Sequence, residues 1–227
     1  METDLVSLIA ASVAFVGSHF ALSHPLRAPL VRSLGEKGFV GLYSLVAFAT
    51  LGWMVWAFRA IGRSAPPLWD GQGNAAWIAA SLLTLVATVL FAGSLKGNPA
   101  MPDTGADPAT AQARGAFAIT RHPMMWSFAL WAVAHILVAP EPRQIVLAGA
   151  ILILALLGAH LQDRKKEALM GAAWASWEAR TRYWPRWSAL PGAGLRLWLI
   201  AVIVWLVATL AHAWLAYVPA GVWRWLG

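Results

Sequence analysis

A chain of 227 residues with 59% hydrophobic and only 12% charged side chains departs from soluble domains, where about a quarter of residues are charged, and belongs in a membrane. It has no cysteine, which excludes disulfides, iron–sulfur clusters, thiolate-ligated or covalently attached haem and a cysteine nucleophile, and leaves histidine to hold any metal. The net charge of +7 does not signify nucleic acid, because the cations lie in short loops between apolar runs, where they orient a membrane protein.

Six apolar runs follow in chain order, at residues 4–22, 39–58, 75–93, 124–139, 144–161 and 195–217. A hydrocarbon core of roughly 30 Å needs about 20 residues per helix, and runs this continuous lack the alternation of a barrel strand. The expected fold is therefore an all-α integral membrane bundle of about six spans, a single domain over residues 1–227. The first run has acids rather than a basic segment in front and no small-residue cleavage site behind, so a retained helix is expected. Loop three, residues 94–121, is rich in Pro, Gly, Asp and Thr and reads as a mobile connector. Pro140 and Pro142 close the fourth run early and predict a tight hairpin with the fifth. In loop five, residues 162–194, Leu169, Ala173, Trp177 and Arg180 recur at helical spacing among basic residues, which predicts an amphipathic helix on the cytoplasmic surface before the last span.

Thirteen of the seventeen Lys and Arg residues fall in loops one, three and five; the other side has only Arg59, Arg63, Arg143 and Arg224. The positive-inside rule then makes the odd loops cytoplasmic and sends both termini to the opposite side. Trp53, Trp56, Trp69, Trp77, Trp184, Trp187, Trp223 and Trp225 fall near run ends, as interfacial belt anchors do.

Asp4 and Arg196 stand at the outer ends of the first and last runs, and no other Asp, Glu, Lys or Arg falls inside the six, which removes the carboxylates a proton-coupled carrier or a carboxylate-bridged di-iron site requires. Histidine remains: His19, His135, His160 and His212 in four different runs, with His24 and His122 at the cytoplasmic border. Imidazole is the commonest metal ligand and the axial ligand of b-type haem, which needs only two histidines and an apolar slot. His19 and His24 have a desaturase-like spacing, but the further histidine pairs of that cluster are missing. Two axial ligands of one iron meet across about 4 Å, so depth would pair His19 with His160, or His135 with His212, and leaves both pairs open. Arg121 and His122 precede Pro123 at the start of the fourth run, where free backbone donors suit an anion or cofactor contact, and they are the candidate catalytic residues.

These residues resemble the NnrU family of bacterial membrane proteins, related to the zeta-carotene isomerases. The resemblance starts at Gly17-Ser18-His19-Phe20 and Pro25-Leu26-Arg27, and continues through Leu34-Gly35-Glu36-Lys37-Gly38, Gly41-Leu42-Tyr43-Ser44-Leu45 and Pro67-Leu68-Trp69. It runs on through Arg121-His122-Pro123, Leu130-Trp131-Ala132-Val133-Ala134-His135, Gly171 with Trp174, and Leu210-Ala211-His212-Ala213-Trp214-Leu215, to Pro219 and Gly221. It implies a protein of the bacterial inner membrane, with both termini periplasmic, and a haem b held axially by His19 and His135; the depth pairing keeps His160 and His212 as fallback ligands. It further implies redox-linked chemistry, either in nitric oxide and denitrification metabolism or as a haem-dependent cis–trans isomerase acting on a polyene from the lipid. A non-enzymatic partner of a nitric oxide reductase system is a third class. Where relatives have an Asn-Gly-Asp turn after the fourth helix, this chain has Val138-Ala139-Pro140-Glu141.

A second resemblance covers the latter half. Arg121-His122-Pro123, followed after two helices by a basic, Glu-bearing surface helix with Tyr183 and then Pro185-Arg186, is similar to the isoprenylcysteine carboxyl methyltransferases, and implies an S-adenosylmethionine site. The Tyr and Gly usual after that triplet are replaced by Met125 and Ser127.

Overall fold

Long apolar sequences must satisfy every backbone donor and acceptor internally once water is excluded, and the helix does so within one segment. The computed structural model describes residues 2–62, 66–101 and 105–226 and forms seven α-helices there, with no strand among the described residues. They are α1 (Glu2–Ser23), α2 (Arg27–Ile61), α3 (Asn74–Ser94), α4 (Pro123–Val138), α5 (Pro142–Met170), α6 (Ala172–Arg180) and α7 (Leu195–Leu215). Five of them, α1, α2, α3, α5 and α7, are long and apolar enough to cross a membrane, and α4 is a shorter apolar helix. Protein covers only 11–28% of their most apolar windows, so most of that surface is left for lipid.

Helix α3 packs on α4 and α7, α5 on α4 and α1, and α1 on α2. One apolar cluster joins α3 and α7 around Val89, Leu90, Leu130 and Ala201; a second joins α1, α2 and α5 around Leu8, Ala11, Met54 and Ala150. Between α3 and α7 the Trp205 indole donates to Thr84 Oγ1 at 3.0 Å.

Three elements differ from the sequence expectation. Loop one is mostly helical: α2 begins at Arg27 and kinks at Gly35, whose φ of 71° suits a residue without a Cβ. Helix α5 does not stop with its apolar run but carries Asp163 and the following charges out to Met170; Gly171, at φ 50°, breaks the chain before α6. The expected surface helix is thus two pieces, and α6 is anchored through Trp174 and Trp177, both fully buried beside Ala100 and Phe117. The described part of loop three is packed rather than free. Its 3-10 turn Gly115–Ala118 buries Ala116 and Phe117, and Arg180 donates to the carbonyls of Pro108 and Ala109 at 2.7 and 2.9 Å. Arg63, counted with the second loop, lies outside the described residues.

Candidate functional site

The charged end of the bundle is built by two segments that clamp one another. Arg121 N donates to Arg182 O at 2.8 Å and Arg186 N to Ile119 O at 2.8 Å, while Thr120 Oγ1 and Trp126 Nε1 both donate to Tyr183 O. This fixes Arg121 and His122 at the mouth of α4 against the C-terminal part of α5. There the Arg121 guanidinium grips Asp163 through Nε and Nη2, at 2.9 and 2.7 Å, and reaches Glu178 of α6 at 3.0 Å. His122, 2% exposed, donates from Nε2 to the other Asp163 oxygen at 2.8 Å, and its Nδ1 is buried without a partner. The Arg121 guanidinium also lies 5.7 Å from the centre of the Tyr183 ring.

A cavity of about 490 Å³ opens beside this network. Arg121, Asp163, Glu178 and Tyr183 form its walls, and the exposed side chains of His160, Arg164, Glu167 and Trp184 form its rim. Burial pushes the Glu178 carboxyl above its usual range. Asp163 and Glu167 add to that shift, and Arg121, shared with Asp163, only partly offsets it. Burial and the Asp163 carboxylate likewise raise the Tyr183 phenol. His160, a fallback iron ligand in the sequence, therefore belongs to this charged rim.

The opposite end holds the second candidate. Helix α4 stops at Val138, and loop two caps its last carbonyls and the turn after them: Trp69 Nε1 donates to Leu137 O at 3.1 Å, Gln72 Nε2 to Val138 O at 2.8 Å and Leu68 N to Pro140 O at 3.0 Å. Gly71 sits so close that a Cβ there would lie 2.6 Å from Leu137 O. One turn before this end, His135 stacks on Trp131 at 4.0 Å and faces His212 of α7, ring centre to ring centre 6.2 Å. Both rings are oriented from behind. His135 Nδ1 donates to Trp131 O and His212 Nδ1 to Val218 O, each at 2.8 Å. A carbonyl can only accept, so in each neutral ring Nε2 holds the free lone pair, the arrangement found behind metal-ligating histidines.

His19 has the same kind of support, Nδ1 to Phe15 O at 2.7 Å, but its ring neighbours are Phe15 and Tyr43. It lies beside Phe20, which reaches the level of Gly158 near the charged part of α5. His135 lies where α5 begins, and from Pro142 to Gly158 that helix rises about 24 Å. The structure therefore brings His135 to His212 and keeps His19 at the other end. Among the described residues, no three or more of His, Cys, Asp and Glu gather as a multi-ligand metal site would need. Two imidazoles that share one metal, each bonded at about 2 Å, have ring centres on the order of 6 Å apart, so the separation of the observed pair would suit two ligands of one metal.

Sequence reasoning singled out Arg121 and His122 but missed their counter-charges Asp163 and Glu178. The family model described as NnrU protein matches residues 7–220. The chain belongs to the NnrU family. No curated protein and no solved structure matches it. Both ends of the bundle, with the Arg121 network and the His135–His212 pair, fall within the stretch that the NnrU model matches.

Proposed function

We propose that this NnrU-family membrane protein holds a non-covalent b-type haem, with His135 as one axial ligand and His212 as the other. The support is one observation: two histidines from different helices face each other at 6.2 Å, each with Nδ1 committed to a backbone carbonyl and Nε2 free. Bound there, haem would supply a one-electron iron centre of the kind that takes nitric oxide or acts on a polyene double bond, in denitrification or isomerase-like chemistry. The chain's own part is to hold the two rings. Trp131 stacks on His135, the Trp131 and Val218 carbonyls fix both tautomers, and loop two pins the end of α4 that carries His135.

An absorption spectrum of protein purified from haem-replete cells tests this, with a Soret band expected. His135→Ala and His212→Ala should each abolish or convert the six-coordinate spectrum, while His160→Ala leaves it unchanged. Damage by His19→Ala with an intact His212→Ala would return the pair to His19 and His135, the one implied by resemblance to the isomerases. No Soret band, even after haem addition, rejects the reading. Binding of S-adenosylmethionine by haem-free protein would favour the methyltransferase reading, and co-purification of an inert haem protein with a nitric oxide reductase would favour a partner role.

A further inference from the structure

The cavity at the charged end has no part in the haem reading. Its walls contain charges that are expensive to bury: Arg121 and Asp163 are 13% and 7% exposed at the side chain. Their balance is uneven. Arg164 and Glu167 offset each other on the exposed rim at 3.7 Å, which leaves one guanidinium, Arg121, and the His122 ring N–H on Asp163, against two carboxylates, Asp163 and Glu178. A surplus negative charge beside a cavity attracts a cation.

The aromatic side of the same cavity says what kind. Tyr183 and Trp184 form an edge-to-face corner, ring centres 5.6 Å apart at 73°; the Tyr183 ring is occupied by the Arg121 guanidinium and the His122 ring, and the Trp184 indole is open to solvent. The corner is rigid, because the Tyr183 carbonyl accepts from Thr120 and Trp126 and its hydroxyl donates to Leu156 O at 2.9 Å. An exposed indole beside a carboxylate recognises alkylated or compact organic ammonium groups through its π face. The cavity also sits where α5 passes from its apolar run into the charges beginning at Asp163, the depth at which lipid headgroups lie.

We propose that this cavity is a binding site for an organic ammonium group, seated between the exposed Trp184 indole and the Glu178 carboxylate. An ethanolamine lipid headgroup and a soluble amine both offer that chemistry. In the lipid case Arg164, whose side chain is 69% exposed on the rim, meets the adjoining phosphate.

The test is calorimetric titration of the full-length protein in an uncharged maltoside detergent. The probes are short-chain phosphatidylethanolamine, phosphatidylglycerol of the same chain length, and glycerophosphoethanolamine. Saturable binding of the ethanolamine lipid is expected, about tenfold tighter than the glycerol lipid, with Glu178→Gln and Trp184→Ala each weakening it by about tenfold. Glu141→Gln, at the far end, should leave binding as it is. Glycerophosphoethanolamine binding as tightly as the lipid would support the ammonium site and assign it to a soluble ligand. Equal binding of the two lipids overturns the proposal, as does a failure of both variants to weaken binding. The exposed Trp184 variant keeps the test open if Glu178→Gln fails to fold, and the haem spectrum reports independently on the other end.

Discussion

Asp163 shows how one side chain ties three elements together. It accepts from Arg121 and His122 before α4 while standing on α5, and Arg121 in turn reaches Glu178 on α6. Removing one partner of such a buried network strands the others, whereas replacing the set by apolar residues relieves all of them at once. Asp163→Ala should therefore destabilise the protein by about 3–5 kcal/mol, since it leaves a buried imidazole N–H without its acceptor and the Arg121 guanidinium with Glu178 alone. The combined Arg121→Leu, His122→Leu and Asp163→Leu variant should lose clearly less, as read from thermal melts in detergent. If the triple variant were the less stable one, the network would be holding the fold together rather than serving the cavity. The sequence carried a trace of this pairing: Asp163 follows His160 by three positions and precedes Glu167 by four, one face of a helix, opposite two cations with no carboxylate of their own. It went unread because a hydropathy run ends at its last apolar residue, whereas a helix continues as long as its backbone bonds are made.

At the scale of elements, span boundaries were legible and connections were not. Helices α3 and α7 begin within a residue of their apolar runs, because hydrophobic length is a property of the segment alone. Loop three and α6 owe their placement to Trp174 and Trp177 buried beside Phe117 and Ala100, contacts between distant parts of the chain that no local pattern records. The same holds for loop two on α4, where close approach of backbone to backbone sets the geometry. Gly71→Ala would push a Cβ to within 2.8 Å of the Leu137 and Val138 backbone, and neither carbonyl can yield without breaking the caps from Trp69 and Gln72. A cost of about 1–3 kcal/mol is expected, together with weaker haem retention, because the same turn carries His135. Gly73→Ala, with nothing within 4 Å of the new Cβ, should stay within about 0.5 kcal/mol. Equal melting temperatures for the two variants would show that the turn is slack.

For the whole molecule, the histidine pair was half legible. Depth along the runs allowed His135 with His212, but only packing of α3 against both α4 and α7 brings those two helices into reach, while resemblance pointed to His19. Orientation follows from charge. Loops one, three and five share one end of the bundle: Lys165 of α5 adds to burial in lowering the His24 pKa, and loops three and five are hydrogen-bonded to each other. The other end gathers loop two, the α4–α5 turn and the C-terminal segment, where Arg224 donates to Gln72 O and Trp225 to Asn74. With thirteen cations at the first end against Arg59, Arg143 and Arg224 among the described residues at the second, the first is expected in the cytoplasm and both termini outside. A chain without cysteine makes this simple to check, since any thiol introduced is the only one present. Single cysteines at the exposed positions Trp184 and Leu34 should react with a membrane-impermeant maleimide only after the cells are opened. Cysteines at Leu68 and Tyr217 should react in intact spheroplasts. The reverse pattern would place the Arg121 network and its cavity outside, away from the cytoplasmic leaflet, and would overturn the charge rule for this protein.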